Sequence, residues 1–263
     1  NFPGVVQNNG IEVQINTLNI RGKRFSWKSN FNFTMSRNKL VEFPGLSTSS
    51  YAQRYIIGKP LNLYIGAKFA GVDPATGVYQ FYDKDKNLTF SPSEADYSYA
   101  GTTDPKFYGG FSNSITYRNW ELSFLFDYRR QMGLHPIYSV PSLVGDAINR
   151  PEAVLDRWQL PNDLKPYQRF TQTYGTAGVA IYPLFNSDAV LTDASFVKLR
   201  NLSLSYSLSA LKIKKKEINR IELFLQAQNL FVITNYKGPD PETQRVRSLP
   251  PLRRIAIGGK LSL

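Results

Sequence analysis

The stretch LTDASFVKLRNLSLSYSLS (Leu191 to Ser209), read together with IELFLQAQNLFVIT (Ile221 to Thr234) and RIAIGGKLSL (Arg254 to Leu263), decides how this chain folds. From Leu202 onward, Leu202, Leu204, Tyr206 and Leu208 alternate with Ser203, Ser205 and Ser207, the period of two that a β-strand imposes on its side chains. Ile221, Leu223, Leu225 and Ala227 repeat the pattern against Glu222, Gln226 and Gln228, with Phe224 as the exception. Ile255, Ile257, Leu261 and Leu263 repeat it once more against Arg254, Lys260 and Ser262. One face of each segment therefore wants lipid or core, and the other wants water.

Working outward, the same alternation fills most of the chain. Ile11, Val13 and Ile15 oppose Glu12, Gln14 and Asn16, and a tight turn at Arg21, Gly22 and Lys23 leads into a second strand. There Phe25, Trp27, Phe31, Phe33 and Met35 share one face, while Ser26, Lys28, Asn30, Asn32, Thr34 and Ser36 share the other. A hairpin follows at Phe107, Phe111, Ile115 and Tyr117, turning through Arg118 and Asn119 into Trp120, Leu122, Phe124, Phe126 and Tyr128. Leu61, Leu63, Ile65 and Phe69 read as a further strand, with a short one around Val78 to Tyr82. The polar faces recur as Ser, Asn, Gln and Thr, the composition of a water-filled barrel interior.

Two stretches interrupt the strands. Residues 72 to 106 are rich in Gly, Pro and Asp, and residues 131 to 193 hold Pro136, Pro141, Pro151, Pro161, Pro166 and Pro183, which forbid one continuous strand or helix. Within the second, Pro151 to Leu160 reads as a short helix, because proline suits a first helical position and Val154, Leu155 and Trp158 fall on one side. Tyr138, Trp158, Tyr167, Phe170 and Tyr174 argue that this long insertion is ordered.

Composition narrows the chemistry. An aromatic fraction of 14 % in 263 residues favours strands. With no cysteine, disulfides, thiol catalysis and cysteine metal sites are excluded. No apolar run reaches the ~18 residues of a membrane helix, a test that β-barrels escape because their strands need only ~9 to 11. The net charge of +12 is not gathered on one element with aromatic platforms between, so nucleic acid is not the partner it implies. Lys212, Lys214, Lys215 and Lys216 read as a solvated turn between strands. Lys198 and Arg200, counted back from Leu202, fall on the apolar register and read as contacts to anionic lipid head groups.

For specific chemistry, Asp83, Asp85, Asn87 and Glu94 match positions 1, 3, 5 and 12 of a calcium loop, although Leu88 replaces the usual glycine and Pro92 interrupts the segment. The expectation is a non-helical Ca2+ site at most. The single histidine, His135, stands beside Pro136 without an acid and serine pattern around it. Asp240 and Glu242 are flanked by Pro239 and Pro241 and read as a rigid loop rather than an acid/base pair. An enzyme is not expected.

The LTDASFVKLRNLSLSYSLS run and QAQNLFVITNYKGPDPE (Gln226 to Glu242) also resemble the C-terminal signature of the SusC/RagA family of TonB-dependent outer-membrane transporters. GKPLNLYIGAKFAGVDPATG (Gly58 to Gly77), DPKFYGGFSNSITYRNWELSFLFDYRRQ (Asp104 to Gln131) and RWQLPND (Arg157 to Asp163) agree with it in order. The resemblance implies that residues 1–263 are the C-terminal part of an antiparallel transmembrane β-barrel, all-β, in the outer membrane of a Gram-negative bacterium. It implies partners too: the N-terminal plug and barrel portion of the same transporter, a SusD-like surface lipoprotein, the TonB complex acting through that N-terminal part, outer-membrane lipid, and oligosaccharide or peptide cargo. The count of strands that this sidedness requires is about nine, the ninth lying near Val78 to Tyr82. The rival reading is a soluble, secreted all-β carbohydrate-binding module, which also shows alternation and long loops.

Overall fold

A computed structural model describes residues 3–140, 145–213, 216–245 and 248–262, and of 209–219 it describes the backbone alone. The strands in chain order are β1 (Val5–Arg21), β2 (Phe25–Glu42), β3 (Leu63–Gly66), β4 (Lys68–Val72), β5 (Tyr79–Tyr82), β6 (Leu88–Thr89) and β7 (Ser98–Thr102). They continue as β8 (Phe107–Tyr117), β9 (Trp120–Arg130), β10 (Met132–Leu134), β11 (Leu191–Asp193), β12 (Phe196–Ile213), β13 (Lys216–Thr234) and β14 (Arg254–Ser262). Two short helices, α1 (Thr176–Val179) and α2 (Ile181–Phe185), lie between β10 and β11. The chain divides into two compact units, each assembled from several segments.

One unit (9–36, 105–131 and 194–263) is dominated by a seven-stranded antiparallel sheet in the order β1-β2-β8-β9-β12-β13-β14. Its register explains the alternation, because residues directly opposite across antiparallel strands share a face. Trp27, Ile115, Leu122, Leu204, Leu225 and Ile257 form one continuous row across six strands. One residue along, Lys28, Ser114, Ser123, Ser203, Gln226 and Ala256 form a row on the opposite face. Phe224, the exception in the sequence, lies on the polar face opposite Gly258, and its ring occupies the space where a side chain at 258 would stand. The missing Cβ thus leaves room for the misplaced aromatic.

The strand count is seven in this sheet, not about nine. The segments expected as two more wall strands are instead β3, β4 and β5, which pair in small sheets with β7 and β6 in the other unit. Buried Tyr79 and Phe81 on β5 explain the error: their alternation faces a local core rather than a long wall. Sidedness still closes. The connections after β1, β8 and β12 are short, those after β2, β9 and β13 are long, and an odd number of strands brings the far end of β14 to the short-turn side.

The second unit (1–8, 37–104 and 132–193) packs around Ala67, Val78, Tyr79, Phe81, Ile137, Val154, Tyr167, Ala177, Ala180, Ile181 and Leu184. Aromatic edges hold its centre: Phe69 meets Tyr79 and Tyr138 at ring separations of 5.6 and 5.8 Å, and Tyr138 meets Tyr167 at 5.5 Å. Gln168, fully buried, ties two pieces together by accepting from the Tyr79 N–H and donating to the Ala177 carbonyl. The helix expected at Pro151 to Leu160 is only a 3-10 turn at Glu152–Leu155. Trp158 has another task. Its ring covers Gly77, which sits at φ 71°, and its Nε1–H donates to the Pro74 carbonyl at 2.9 Å.

Candidate functional site

The two faces of the large sheet are the functional surfaces. On the apolar face, Phe25, Tyr117, Trp120 and Tyr206 form one cross-strand row at the short-turn end, with the Trp120 and Tyr206 rings 4.6 Å apart. Toward the long-loop end the same face carries Phe31, Phe111, Phe126 and Phe231, then Phe33 and Tyr128. Phe33 packs on Phe107 at 5.6 Å, and Tyr128 stacks on Phe31 at 6.1 Å. The Trp120 and Tyr128 rows are about 27 Å apart along a strand, or about 20 Å after a ~40° tilt, most of the ~25 Å apolar band of an outer-membrane barrel. Between them the rows are aliphatic but for Trp27, Phe124 and one polar knot, in which the Trp27 Nε1–H and the Ser29 hydroxyl both donate to Asn113 Oδ1 at 2.8 and 2.7 Å. That knot spares the buried oxygen the cost of an unmade hydrogen bond in an apolar setting.

On the opposite face, Asn16, Lys28, Asn30, Ser112, Ser114, Ser123, Asn201 and Ser203 line an open recess. Asn30 donates through Nδ2 to Asn16 Oδ1 across β1 and β2, which places the polar residues of β1 on this same side.

Toward the long-loop end, this face carries an ion cluster. Lys198 Nζ lies 2.9 Å from Glu242 and 3.5 Å from Asp240, and the Lys198 and Asp240 side chains are both buried. Arg200 donates through Nε to Asp127 Oδ2 at 2.7 Å and through Nη1 and Nη2 to Glu242 at 3.1 and 2.9 Å. Hydrogen bonding to Arg200, reinforced by Lys198, holds the Glu242 carboxyl down to about 2. The Gln131 side chain adds a bond to the Pro241 carbonyl at 3.0 Å, and Asp240 Oδ2 accepts from the Thr243 N–H at 2.9 Å. Asp240 and Glu242 thus pin the loop between β13 and β14 to the sheet.

This geometry corrects the lipid reading of Lys198 and Arg200. A bulge between Leu199 and Asn201, with Asn229 at φ 52° on the neighbouring strand, shifts the phase, so counting by twos from Leu202 assigns the wrong face. Lys198 lies opposite Asp127, on the polar side. The signal was present in the sequence, since Val197, Leu199, Leu202 and Leu204 break step once, by three. Lys214 and Lys215 of the basic run lie outside the described residues, as do the side chains of Lys212 and Lys216.

Of the four oxygen-bearing residues read as a calcium set, the structure gathers three, Asp83, Asp85 and Asn87, in one turn. Asp83 Oδ1 accepts from the Asp85 and Asn87 N–H groups at 2.9 and 2.8 Å, and Asp83 Oδ2 accepts from Asn87 Nδ2 at 3.1 Å, so its carboxylate shapes the turn that puts Lys86 at φ 66°. Glu94 opens a separate 3-10 turn capped by Ser93 and Asp96. Among the described residues no group of three or more His, Cys, Asp or Glu side chains is placed to hold a metal ion. His135 Nδ1 accepts the Ile137 and Tyr138 N–H groups at 3.2 and 3.0 Å, its ring stacks on Tyr138 at 4.3 Å, and burial pushes it down to about 4. It is a neutral cap for a turn.

No protein-family model matches the chain. TonB-dependent receptor P3 of Formosa agariphila is 26 % identical over 273 aligned positions, covering 91 % of this chain and 25 % of that protein. TonB-dependent receptor SusC of Bacteroides thetaiotaomicron is 23 % identical over 258 positions, covering 92 % of this chain and 24 % of that protein. The solved RagAB peptide importer in its open-open state superposes with a TM-score of 0.79 at 24 % identity, covering 99 % of this chain and 29 % of that one. The RagAB peptide transporter superposes at 0.76 and 23 % identity, over 97 % of this chain and 29 % of that one. The chain spans about a quarter of the length of the curated relatives it matches, which are named as receptors and not as enzymes.

Proposed function

We propose that this chain, whose sequence and fold resemble the SusC/RagA group of TonB-dependent transporters, is a section of wall and extracellular loops in an outer-membrane nutrient importer of a Gram-negative bacterium. The observation that carries the reading is the separation of the two faces of the large sheet. Six strands contribute aliphatic and aromatic rows on one side, interrupted by the hydrogen-bonded Ser29 and Asn113 and bounded by aromatic residues at both ends, and rows rich in Ser, Asn, Gln and Lys on the other. A soluble sandwich would cover the apolar face with a second sheet. Here Leu223, Ile255, Ile257 and Leu261 stay exposed.

In this reading the apolar face meets outer-membrane lipid, and the polar face lines an aqueous lumen. The remaining wall and the plug come from other parts of the same transporter, a SusD-like lipoprotein closes the extracellular mouth, and the TonB complex supplies energy through the plug. The cargo is an oligosaccharide or a peptide. Calcium at Asp83, Asp85, Asn87 and Glu94 stands as a separate proposal, tested by whether added Ca2+ protects this turn from protease.

The test is a nitroxide scan of the full-length transporter in bilayers. Labels at Phe33, Leu204 and Leu225 are expected to respond to oxygen, and labels at Thr34, Ser203 and Gln226 to a water-soluble nickel chelate. Greater nickel accessibility at Leu225 than at Gln226 would reverse the sidedness. Partition of the protein into plain buffer without detergent would favour a soluble binding module instead.

A further inference from the structure

Beside the ion cluster, with which it shares Asp127, and on its side away from the open recess, the polar face carries a second, smaller recess lined by Asn32, Tyr108, Gly110, Asp127, Arg129 and Phe196. Its cation is Arg129. The guanidinium lies 5.8 Å from the centre of the Tyr108 ring and 5.9 Å from the centre of the Phe196 ring, held between two aromatic faces contributed by neighbouring strands. Asp127 is the acid in the recess, and its Oδ2 is engaged by Arg200 through Nε and Nη2. Among the described residues no carboxylate lies within ion-pairing distance of Arg129. Its guanidinium is thus flanked by rings on neighbouring strands and held by no acid.

The surroundings add donors and space. Asn32 Oδ1 accepts the Gly110 N–H at 2.9 Å, which fixes the amide so that its Nδ2 remains available as a donor. At Gly110 a Cβ would stand 3.2 Å from that same Nδ2, so glycine keeps the floor open beside it. The exposed Tyr108 contributes a hydroxyl at the rim. A planar guanidinium held in place matches a carboxylate with two parallel N–H···O bonds, and restraint before binding lowers the entropy lost on forming them.

We propose that Arg129, Asn32 and Tyr108 form a carboxylate-binding subsite on the lumen wall, so that the transporter selects cargo bearing a carboxylate. The proposal rests on the lumen assignment above and deepens it by naming a chemical class. A peptide C-terminus and a uronic-acid sugar present the same group, and paired probes separate them.

The experiment uses the full-length transporter in detergent and measures binding of four probes by calorimetry: tetra-alanine with a free C-terminus, its C-terminal amide, trigalacturonic acid and its methyl ester. One acid is expected to bind roughly tenfold or more tightly than its neutral partner, as a charge-assisted bidentate contact implies. Which pair shows the preference identifies the source of the carboxylate. Arg129→Gln is expected to erase the preference for the acid over its neutral partner, and Arg129→Lys to retain part of it. Equal binding of acid and neutral partner in both pairs, absence of binding to all four, or a preference that survives Arg129→Gln overturns the proposal. Retained heat-modifiability of each variant shows that the wall has folded. A nitroxide at position 129 that responds to oxygen rather than to the nickel chelate would instead overturn the lumen reading itself, which distinguishes the two failures.

Discussion

The large sheet and the packed insert solve opposite problems with the same residue types. In the insert, Tyr79, Phe81 and Leu184 are almost fully removed from solvent within 37–104 and 132–193, and the elements around them are only two to five residues long. In the sheet, strands of nine to nineteen residues display their apolar side chains outward and bury few of them. The insert is stabilised as a water-soluble domain is, by taking apolar area out of water. The sheet is stabilised by register and by cross-strand backbone bonds, and leaves its apolar area for an environment that supplies no water. Aromatic residues are plentiful in both regions, so burial rather than composition separates a core from a lipid surface.

The largest effect that would sharpen this contrast comes from removing a core ring. Phe81 is fully buried and packs on Phe69 at 5.7 Å. Phe81→Ala is expected to destabilise the insert by about 3 to 5 kcal/mol, the usual cost of emptying an aromatic site. Limited proteolysis should then cut within 37–104 and 132–193 while the sheet keeps its heat-modifiable mobility on gels. Loss of both regions together would show that the two are not separately stabilised.

A charge placed on the apolar face comes next, and its cost depends on depth. Leu202 lies in the row of Phe124 and Ala227, midway between the two aromatic ends, whereas Leu223 lies opposite Tyr206 in the terminal aromatic row. Leu202→Arg is expected to cost about 2 to 4 kcal/mol and Leu223→Arg about 0 to 1, measured by denaturant unfolding from bilayers. Ser203→Arg, on the other face, should be nearly neutral. Equal costs at Leu202 and Ser203 would break the two-faced description.

How much of this was readable in advance follows from the same contrast. Wherever strands run long, alternation fixed both faces: the residues assigned to one side at 25–34, 107–128, 202–208 and 221–228 lie there, because a period of two has a single solution while pairing stays regular. It failed at Leu199–Asn201, where one bulge reversed the assignment of Lys198 and hid the ion cluster with Asp240 and Glu242. It failed again at β3 to β5, where short strands serve a local core that alternation alone does not reveal. The helices at Thr176–Val179 and Ile181–Phe185 went unread because neither is long enough to show a helical period. Arg129 follows Tyr128 and so alternates onto the polar face, but its aromatic flanks come from residues 21 positions before it and 67 after it, and only the pairing register brings them together.

The smallest effect separates the two regions by pH. His135 accepts two backbone N–H groups on Nδ1, so its lone pair must stay free of a proton for the turn to hold. With its folded value pushed down to about 4 by burial and an unfolded value near 6.5, the unfolded state takes up the proton first. Stability from this group is therefore complete above about pH 6.5 and is lost as pH falls toward 4. Glu242, held down to about 2 by Arg200 and Lys198, contributes above its unfolded value of about 4.3 and loses that contribution as pH falls toward 2. On acidification, hydrogen exchange should thus quicken first around 135–140 in the insert and only at lower pH around 240–244 in the loop pinned to the sheet. His135→Asn, whose carbonyl can accept the same N–H groups without titrating, is expected to remove the first step and leave the second. If exchange at 135–140 in that variant still rose between pH 6.5 and 4, the His135 cap would not be the group responsible.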